Sequence, residues 1–387
     1  MRDLWPAAAS IDLDAIAHNV RVLRERAGGA ALMAVVKADA YGHGLVPAAR
    51  AALAGGASVL GVAQPTEALA LREAGVEAPV LCWLVPHGAD LTPLVAADVQ
   101  VAAAAPWVLD ALVTASRAAG RPAVTQLKAD TGLARNGAYA LPLAAGGATD
   151  WSDLVTHAAR LESTGLLEVV GLFSHLARAD EPGHPSVRAQ QDAFAAAVDE
   201  AERAGLRPAV RHLSNSAATL TEPTAVWDMV RPGLAVYGLS PVPQLASAAE
   251  LGLRPAMRVT ATVALAKRIR AGQGVSYGHT YAPRQESTVI DVPLGYADGI
   301  PRHASGVAPV QVHGRRFTLS GRVCMDQVVV DVGDLEVAAG DQVVLFGAGD
   351  DREPTAQDWA EAVGTISYEI VTRFGPRVPR VYQGVGA

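Results

Sequence analysis

Cysteine is almost absent from this chain: Cys82 and Cys324 are the only two, far apart and in no metal-like spacing. A disulfide-stapled secreted domain is thereby excluded, and both sulfurs are expected as reduced thiols. Charged residues are sparse at 18%, yet apolar residues reach 50%, which excludes a disordered chain. No uncharged apolar stretch attains membrane-spanning length, so no membrane partner is expected. No basic run exists to displace counterions from a phosphate backbone, and the formal charge is −7, so nucleic acid is not an expected partner either. Asp3, Asp12 and Asp14 fall where a secretory signal needs a continuous apolar core, giving the expectation of a cytoplasmic location. The sequence also lacks Gly-x-Gly-x-x-Gly after a strand, His-Glu-x-x-His and a Gly-Lys-Ser/Thr loop, leaving dinucleotide, metal and nucleotide chemistry without support.

What is present is a recurring unit. The 387 residues suggest two or three domains. Short apolar runs bounded by small or turn residues occur at Leu32–Val36, Val59–Ala63, Val80–Leu84, Val99–Ala103, Ala123–Leu127, Val169–Ser174, Ala209–Leu213 and Val226–Val230. Helical spacing follows the first five, at Val46–Ala54, Glu67–Ala74, Ala89–Ala97, Val108–Ala119 and Leu154–Leu161. Eight such units in about 240 residues predict an α/β fold, a (β/α)₈ TIM-type barrel whose strands are apolar on both faces. An open doubly wound sheet competes, but it lacks its glycine fingerprint here.

From about Leu253 the texture turns to alternating β-branched runs at Val259–Leu265, Thr288–Val292, Phe317–Asp331 and Asp341–Phe346, with one helical stretch at Ala356–Ala362. The expected organisation is an N-terminal strand in residues 1–13 packing with the C-terminal domain, a barrel over 14–250 and a mainly-β domain over 251–387. The boundary falls within Gln244–Arg254.

Barrel chemistry sits at the carboxyl ends of the strands. Those positions hold Lys37, then Lys128, Asp130 and Arg135, then His175, then Asn215 and Ser216, then Arg231 and Gly233. A lysine directly after a buried strand either snorkels to a surface carboxylate or has its pKa lowered by desolvation, the property that suits Schiff-base chemistry. Ser216 and Gly233 follow the last two strands, where barrels commonly bind phosphate. Lysine, phosphate cradle and arginine together suggest pyridoxal 5'-phosphate.

The chain resembles the alanine racemases over almost its whole length. The resemblance rests on Ala34-Val35-Val36-Lys37-Ala38-Asp39-Ala40-Tyr41-Gly42-His43-Gly44, Lys128-Ala129-Asp130-Thr131-Gly132, Val230-Arg231-Pro232-Gly233, Val275-Ser276-Tyr277-Gly278, Gly295-Tyr296-Ala297-Asp298-Gly299, Gly321-Arg322-Val323-Cys324-Met325-Asp326-Gln327 and Ile366-Ser367-Tyr368-Glu369. It implies that Lys37 carries pyridoxal 5'-phosphate and is one acid/base group, while Tyr277 is the second, acting on the opposite face of an alanine α-carbon. An ordinary phenol with a pKa near about 10 is a poor base, so cationic neighbours are expected, and His175 and Arg231 match them.

Arg231 would also face the pyridine nitrogen. Tyr41, Ser216, Gly233, Leu234 and Tyr368 match phosphate contacts, with Asn215 beside them. Arg135 and a Met325 backbone N–H match substrate-carboxylate contacts. Lys128 matches a lysine that some relatives carbamylate to N6-carboxylysine. Trp83 is either a cofactor-packing ring or a core aromatic, and Tyr296 either narrows the entrance or sits in a surface hairpin. In the family Tyr277 and Met325 reach the partner subunit, which implies a homodimer with active sites at the interface. The resemblance therefore implies an isomerase that supplies D-alanine for the cell wall.

Four other readings compete. Serine could also be turned over, because a small pocket rejects an added hydroxyl weakly. A non-catalytic pyridoxal-phosphate-binding protein or a decarboxylase would share the barrel. Gly274-Val275-Ser276-Tyr277-Gly278 satisfies the hydrolase elbow pattern, but it lies in the β-rich half and not at a strand-to-helix turn.

Overall fold

The computed structural model describes residues 6–142 and 148–384. Residues 1–5, including Asp3, residues 143–147 of the barrel range and residues 385–387 of the β range lie outside the described residues. Strand β1 (Ala7–Asp12) precedes the barrel and is not part of it. Its last residue caps the helix Leu13–Arg26, with Asp12 Oδ1 accepting the Ala15 N–H at 2.9 Å. That cap turns the chain from one domain into the other within a single residue.

Strands β2 (Ala31–Val35), β3 (Val59–Val62), β4 (Val80–Cys82), β5 (Val99–Ala103) and β6 (Ala123–Asp130) follow. A two-residue strand β7 (Ala138–Tyr139) pairs with the end of β6. Then come β8 (Leu167–Phe173), β9 (Val210–His212) and β10 (Met229–Val230). Without β7 they form a closed ring of eight parallel strands, because β5 pairs with β6 and β10 pairs with both β9 and β2. Burial on both faces explains why these runs are predominantly apolar. Met33, Leu81, Ala102, Phe173 and Met229 fill the barrel interior as one cluster, while Leu32 and Ala34 join the larger core against the helices. Each such Leu or Met contributes about 1.5–3 kcal/mol by leaving water. Gly61 on β3 has a packing reason: a Cβ there would lie 2.7 Å from the Trp83 ring and 2.8 Å from the Met33 sulfur.

The remaining strands are β11 (Met257–Thr262), β12 (Leu265–Ile269), β13 (Ser287–Val292), β14 (Pro309–Val312), β15 (Arg315–Thr318), β16 (Val328–Gly333), β17 (Gln342–Phe346) and β18 (Arg380–Gln383). They form a six-stranded sheet of order β15-β14-β17-β11-β1-β18 and a three-stranded sheet β12-β13-β16. Strand β1 lies between β11 and β18, antiparallel to the first and parallel to the second.

Several sequence expectations change. The run Phe317–Asp331 is two strands, β15 and β16, separated by a loop that holds Cys324 and Met325. Gly321 breaks it: its φ is +81° and a Cβ would meet the Val275 carbonyl oxygen at 2.7 Å. The eighth barrel run shortens to Met229–Val230, entered from the 3-10 turn Pro223–Ala225, and the Asp228 carboxylate before it accepts the backbone N–H and the Nε of Arg211 at 2.8 and 2.7 Å. The stretch Ala89–Ala97 contains only the five-residue helix Thr92–Ala96. A second helix, Ser367–Thr372, follows Ala356–Val363 in the C-terminal domain and carries Tyr368.

Candidate active site

Lys37 leaves the carboxyl end of β2, and the next four residues wind left-handed. Ala38, Asp39, Ala40 and Tyr41 all have φ between 52° and 55°. For L-residues this costs about 1–2 kcal/mol each, so the turn must be held from outside. Asp39 Oδ1 accepts the Leu45 N–H at 2.7 Å. His43 donates from Nδ1 to the Tyr41 carbonyl at 2.9 Å and to that of Ala40 at 3.1 Å. Arg380, from β18, donates to the Gly42 carbonyl at 2.9 Å. Burial lowers His43 to about 4, so its ring is neutral and its single proton serves these carbonyls. The turn delivers the Tyr41 hydroxyl to Gly233, where a Cβ would lie 2.3 Å away.

Tyr41, Ser216 and Gly233 form one wall of a cavity of about 330 Å³ at the barrel mouth. Its lining also includes Lys37, Trp83, Lys128, Arg135, His175, Asn215, Arg231, Leu234 and Tyr368. All the candidate barrel residues except Asp130 are therefore brought together, joined by Val35 and Phe173, which sequence reasoning passed over as strand core. Ser216 Oγ accepts the Gly233 N–H at 2.8 Å and the Ala235 N–H at 3.3 Å, which leaves its own O–H proton for another acceptor. Asn215 Oδ1 caps the helix Ser216–Thr221 through the Ala218 N–H at 3.0 Å, fixing that wall.

The cavity is electropositive, and no Asp or Glu is among its described lining residues. Burial first, then Arg135, lower the Lys37 amine, while Glu67 acts in the opposite direction. Lys128 is lowered to about 8 by burial and by Arg231, Arg135 and Lys37, against a raising effect of Asp130. Lys128 Nζ and the Arg231 guanidinium carbon lie 5.6 and 5.4 Å from the Phe173 ring centroid, within cation–π reach. The loop leading to Arg135 is tied by Asp130 Oδ1, which accepts the N–H groups of Gly132, Leu133 and Ala134 at 2.9, 3.0 and 3.1 Å.

Arg231 is the buried hub. It donates to the Ser174 carbonyl at 2.7 Å, to His212 Nδ1 at 2.9 Å and to His175 Nδ1 at 3.2 Å. Burial lowers it to about 9, which leaves it charged at neutral pH. An arginine only donates, so Nδ1 of both histidines accepts and the ring proton lies on Nε2. His212 then donates to Gln126 Oε1 at 2.6 Å, and Gln126 Nε2 donates to Gln100 Oε1 at 2.6 Å. This chain runs through the barrel interior. The available signal was a polar residue inside each apolar run: Gln126 in the fifth and His212 in the seventh.

His175 changes character. Burial and four cations, Arg231 foremost, hold it well below its ordinary value, so it is a neutral imidazole and not the cationic neighbour expected. The structure also does not bring Tyr277 or Met325 to this cavity. They line a separate surface cavity of about 570 Å³ with Ser276, Cys324, Asp326, Gln327 and Val329. Tyr277 is 70% exposed and Met325 53%, large values for apolar side chains, and Tyr296 is also exposed. Ser276, the serine of the hydrolase-like pentapeptide, donates to the Arg322 carbonyl at 2.7 Å. It lies outside the barrel-mouth cavity.

Amines, guanidinium groups and hydroxyls converging on a closed parallel barrel define an enzyme of barrel type that handles an anionic small molecule. Family models for the N-terminal and C-terminal domains of alanine racemase match residues 11–241 and 256–382. The chain belongs to the alanine racemase family. An alanine racemase of Thermobifida fusca is 56% identical over 378 residues, covering 98% of each chain. The structure of alanine racemase from Streptomyces coelicolor A3(2) superposes with a TM-score of 0.95 at 54% identity, covering all of both chains. That from a D-cycloserine-producing Streptomyces lavendulae does so at 0.94 and 53% identity, covering 98% of this chain and 97% of the other.

Proposed function

We propose that this chain interconverts L-alanine and D-alanine with pyridoxal 5'-phosphate, moving the α-proton between Lys37 and a Tyr277 supplied by a second copy. Racemase activity follows from membership of the family across both domains. The second domain separates the chain from a barrel-only binding protein. The observation that carries the cofactor assignment is the donor set of the barrel-mouth cavity: a half-buried amine of lowered pKa opposite a hydroxyl and backbone cradle, with cations and no lining carboxylate. Its volume of about 330 Å³ lies at the small end of cofactor sites. When bound, the cofactor supplies an electron-withdrawing ring that acidifies the α-C–H of the amino acid attached to it.

Lys37 would hold the cofactor and carry a proton at the α-carbon. Tyr41, Ser216, Gly233, Leu234 and Tyr368 would hold the phosphate, Asn215 would brace them and Trp83 would pack on the ring. Arg231, with no lone pair to offer, can donate toward the ring nitrogen but cannot take its proton. His175 contributes as a neutral donor, its Nε2–H free because Arg231 occupies Nδ1. Arg135 and the Met325 N–H would hold the substrate carboxylate.

Tyr277 and Met325 reach this site only as the partner's residues, so the active unit is a homodimer with both sites at the interface. Residues 14–250 then hold the cofactor and 251–387 serve the partner, with residues 1–13 joined to the latter through the pairing of β1. Free Cys82 and Cys324 suit a reducing compartment, and we assign the activity to the cytoplasm, where its D-alanine would feed peptidoglycan synthesis.

Incubation with L-alanine and pyridoxal 5'-phosphate in deuterated water should give D-alanine carrying α-deuterium. Cofactor uptake without exchange would remove the activity.

Lys128 is assigned as a carbamylated residue. Lowered to about 8, its amine is uncharged in a far larger fraction near neutral pH than that of an ordinary lysine, and the uncharged form adds carbon dioxide. The resulting anion would face Arg135 and Arg231. In ¹³C-bicarbonate the wild-type protein should show a carbamate resonance that Lys128→Ala lacks; identical spectra would exclude the modification.

A further inference from the structure

We infer that Glu67 is a positioning residue for Lys37: its carboxylate clamps the peptide that follows Lys37 and so aims the amine into the barrel mouth. The inference rests on Lys37 being the cofactor-bearing lysine. Glu67 is the third residue of the helix Pro65–Glu73, which follows β3. Its Oε2 accepts the N–H groups of Ala63 and Gln64 at 2.9 and 3.0 Å, completing a capping box. A capping-box carboxylate ordinarily has no further task. Here Oε1 leaves the helix and accepts the Ala38 N–H at 2.6 Å. One carboxylate is therefore fixed on one side by its own helix and grips, on the other, the first peptide of the left-handed turn.

That N–H finds no partner within the turn, whose own bonding begins when the Ala40 N–H reaches the Val36 carbonyl at 2.8 Å. Ala38 has φ of 55° and ψ of 53°, a conformation an alanine leaves readily once its peptide is released. Releasing it frees rotation about the bonds next to the Lys37 Cα and thus the direction of the side chain.

The same carboxylate acts on Lys37 through its charge. The other charged or titratable groups around that amine are Arg135, Lys128, His175 and the phenols of Tyr41 and Tyr368, with Arg231 deeper in the cavity. None of them favours the ammonium, whereas Glu67 does. Glutamine is a defined failure of both functions. Its one carbonyl oxygen can accept from Ala38 or from Ala63 and Gln64, its amide N–H₂ would confront a donor on the remaining side, and its charge is gone.

The test uses full-length wild type, Glu67→Gln, Glu67→Asp and Lys37→Ala, each incubated with pyridoxal 5'-phosphate across a pH series and reduced with borohydride. Labelling of the Lys37 peptide is read by mass, and thermal unfolding is recorded in parallel. In Glu67→Gln the half-saturating cofactor concentration, measured at the variant's own best pH, should rise about tenfold for the lost clamp. The low-pH limb of labelling should move to lower pH, because removing an anion weakens the ammonium. Glu67→Asp should restore the limb through its charge and not the affinity, its carboxylate being one methylene short; it also stands in if the glutamine variant does not fold. Wild-type affinity and limb in a folded Glu67→Gln, or losses that only track its unfolded fraction, would overturn the role. Label persisting on Lys37→Ala chains would instead overturn the assignment of Lys37, and this role with it.

Discussion

Lys37→Ala is expected to lose borohydride-fixed cofactor entirely and to racemise alanine at least about 10³-fold more slowly than wild type. The size follows from two tasks in one side chain. Positioned proton transfer contributes about 10²–10⁴-fold, and loss of covalent attachment removes in addition the orientation of the reacting centre. No other amine replaces it well. Lys128 lines the same cavity but sits on β6 under the influence of Arg231 and Arg135, away from the left-handed turn. Folding should survive, because the substitution removes a half-buried cation already disfavoured by burial and Arg135. Chiral analysis of alanine, peptide mass after reduction and a thermal unfolding curve measure the three quantities. A Lys37→Ala protein that still racemises within tenfold of wild type would transfer the base to another residue.

The barrel was legible because its physics is local and repeated. A strand buried on both faces must be apolar at nearly every position, so Leu32–Val36 and Val99–Ala103 announce themselves without any tertiary knowledge. The site was legible for a related reason: polar residues immediately after such runs have to lie at the barrel mouth, as Lys37, His175 and Arg231 do. In the C-terminal domain the same logic weakened. Phe317–Asp331 keeps a β composition through the loop 319–327, and only the close approach of Gly321 to the Val275 carbonyl, far away in sequence, breaks it.

Charge states were illegible for a different reason. Whether His175 is a cation depends first on its burial and then on Arg231, Arg135, Lys128 and Lys37, which arrive from three other strand ends. Composition near residue 175 holds no trace of them. The same applies to Glu67, whose helix-capping pattern is visible in sequence while its reach to Ala38 requires β2 and β3 to be neighbours.

Mixing two inactive variants gives the sharpest result for the site as a whole. Lys37→Ala and Tyr277→Phe should each fail to racemise alone, the first without its cofactor-bearing amine and the second without the opposite-face base. If Tyr277 acts on the partner's barrel, a dimer of one chain of each kind holds one site with both defects and one site with neither. Random exchange makes half of the dimers mixed, so about a quarter of all sites, and about a quarter of wild-type activity, should return after the variants are unfolded and refolded together. The exposure of Tyr277 and Met325 on a surface cavity distinct from the one that Lys37 lines motivates this expectation. A site complete within one chain requires the opposite, since every site would keep one defect whichever chains pair and activity would stay at the level of the single variants.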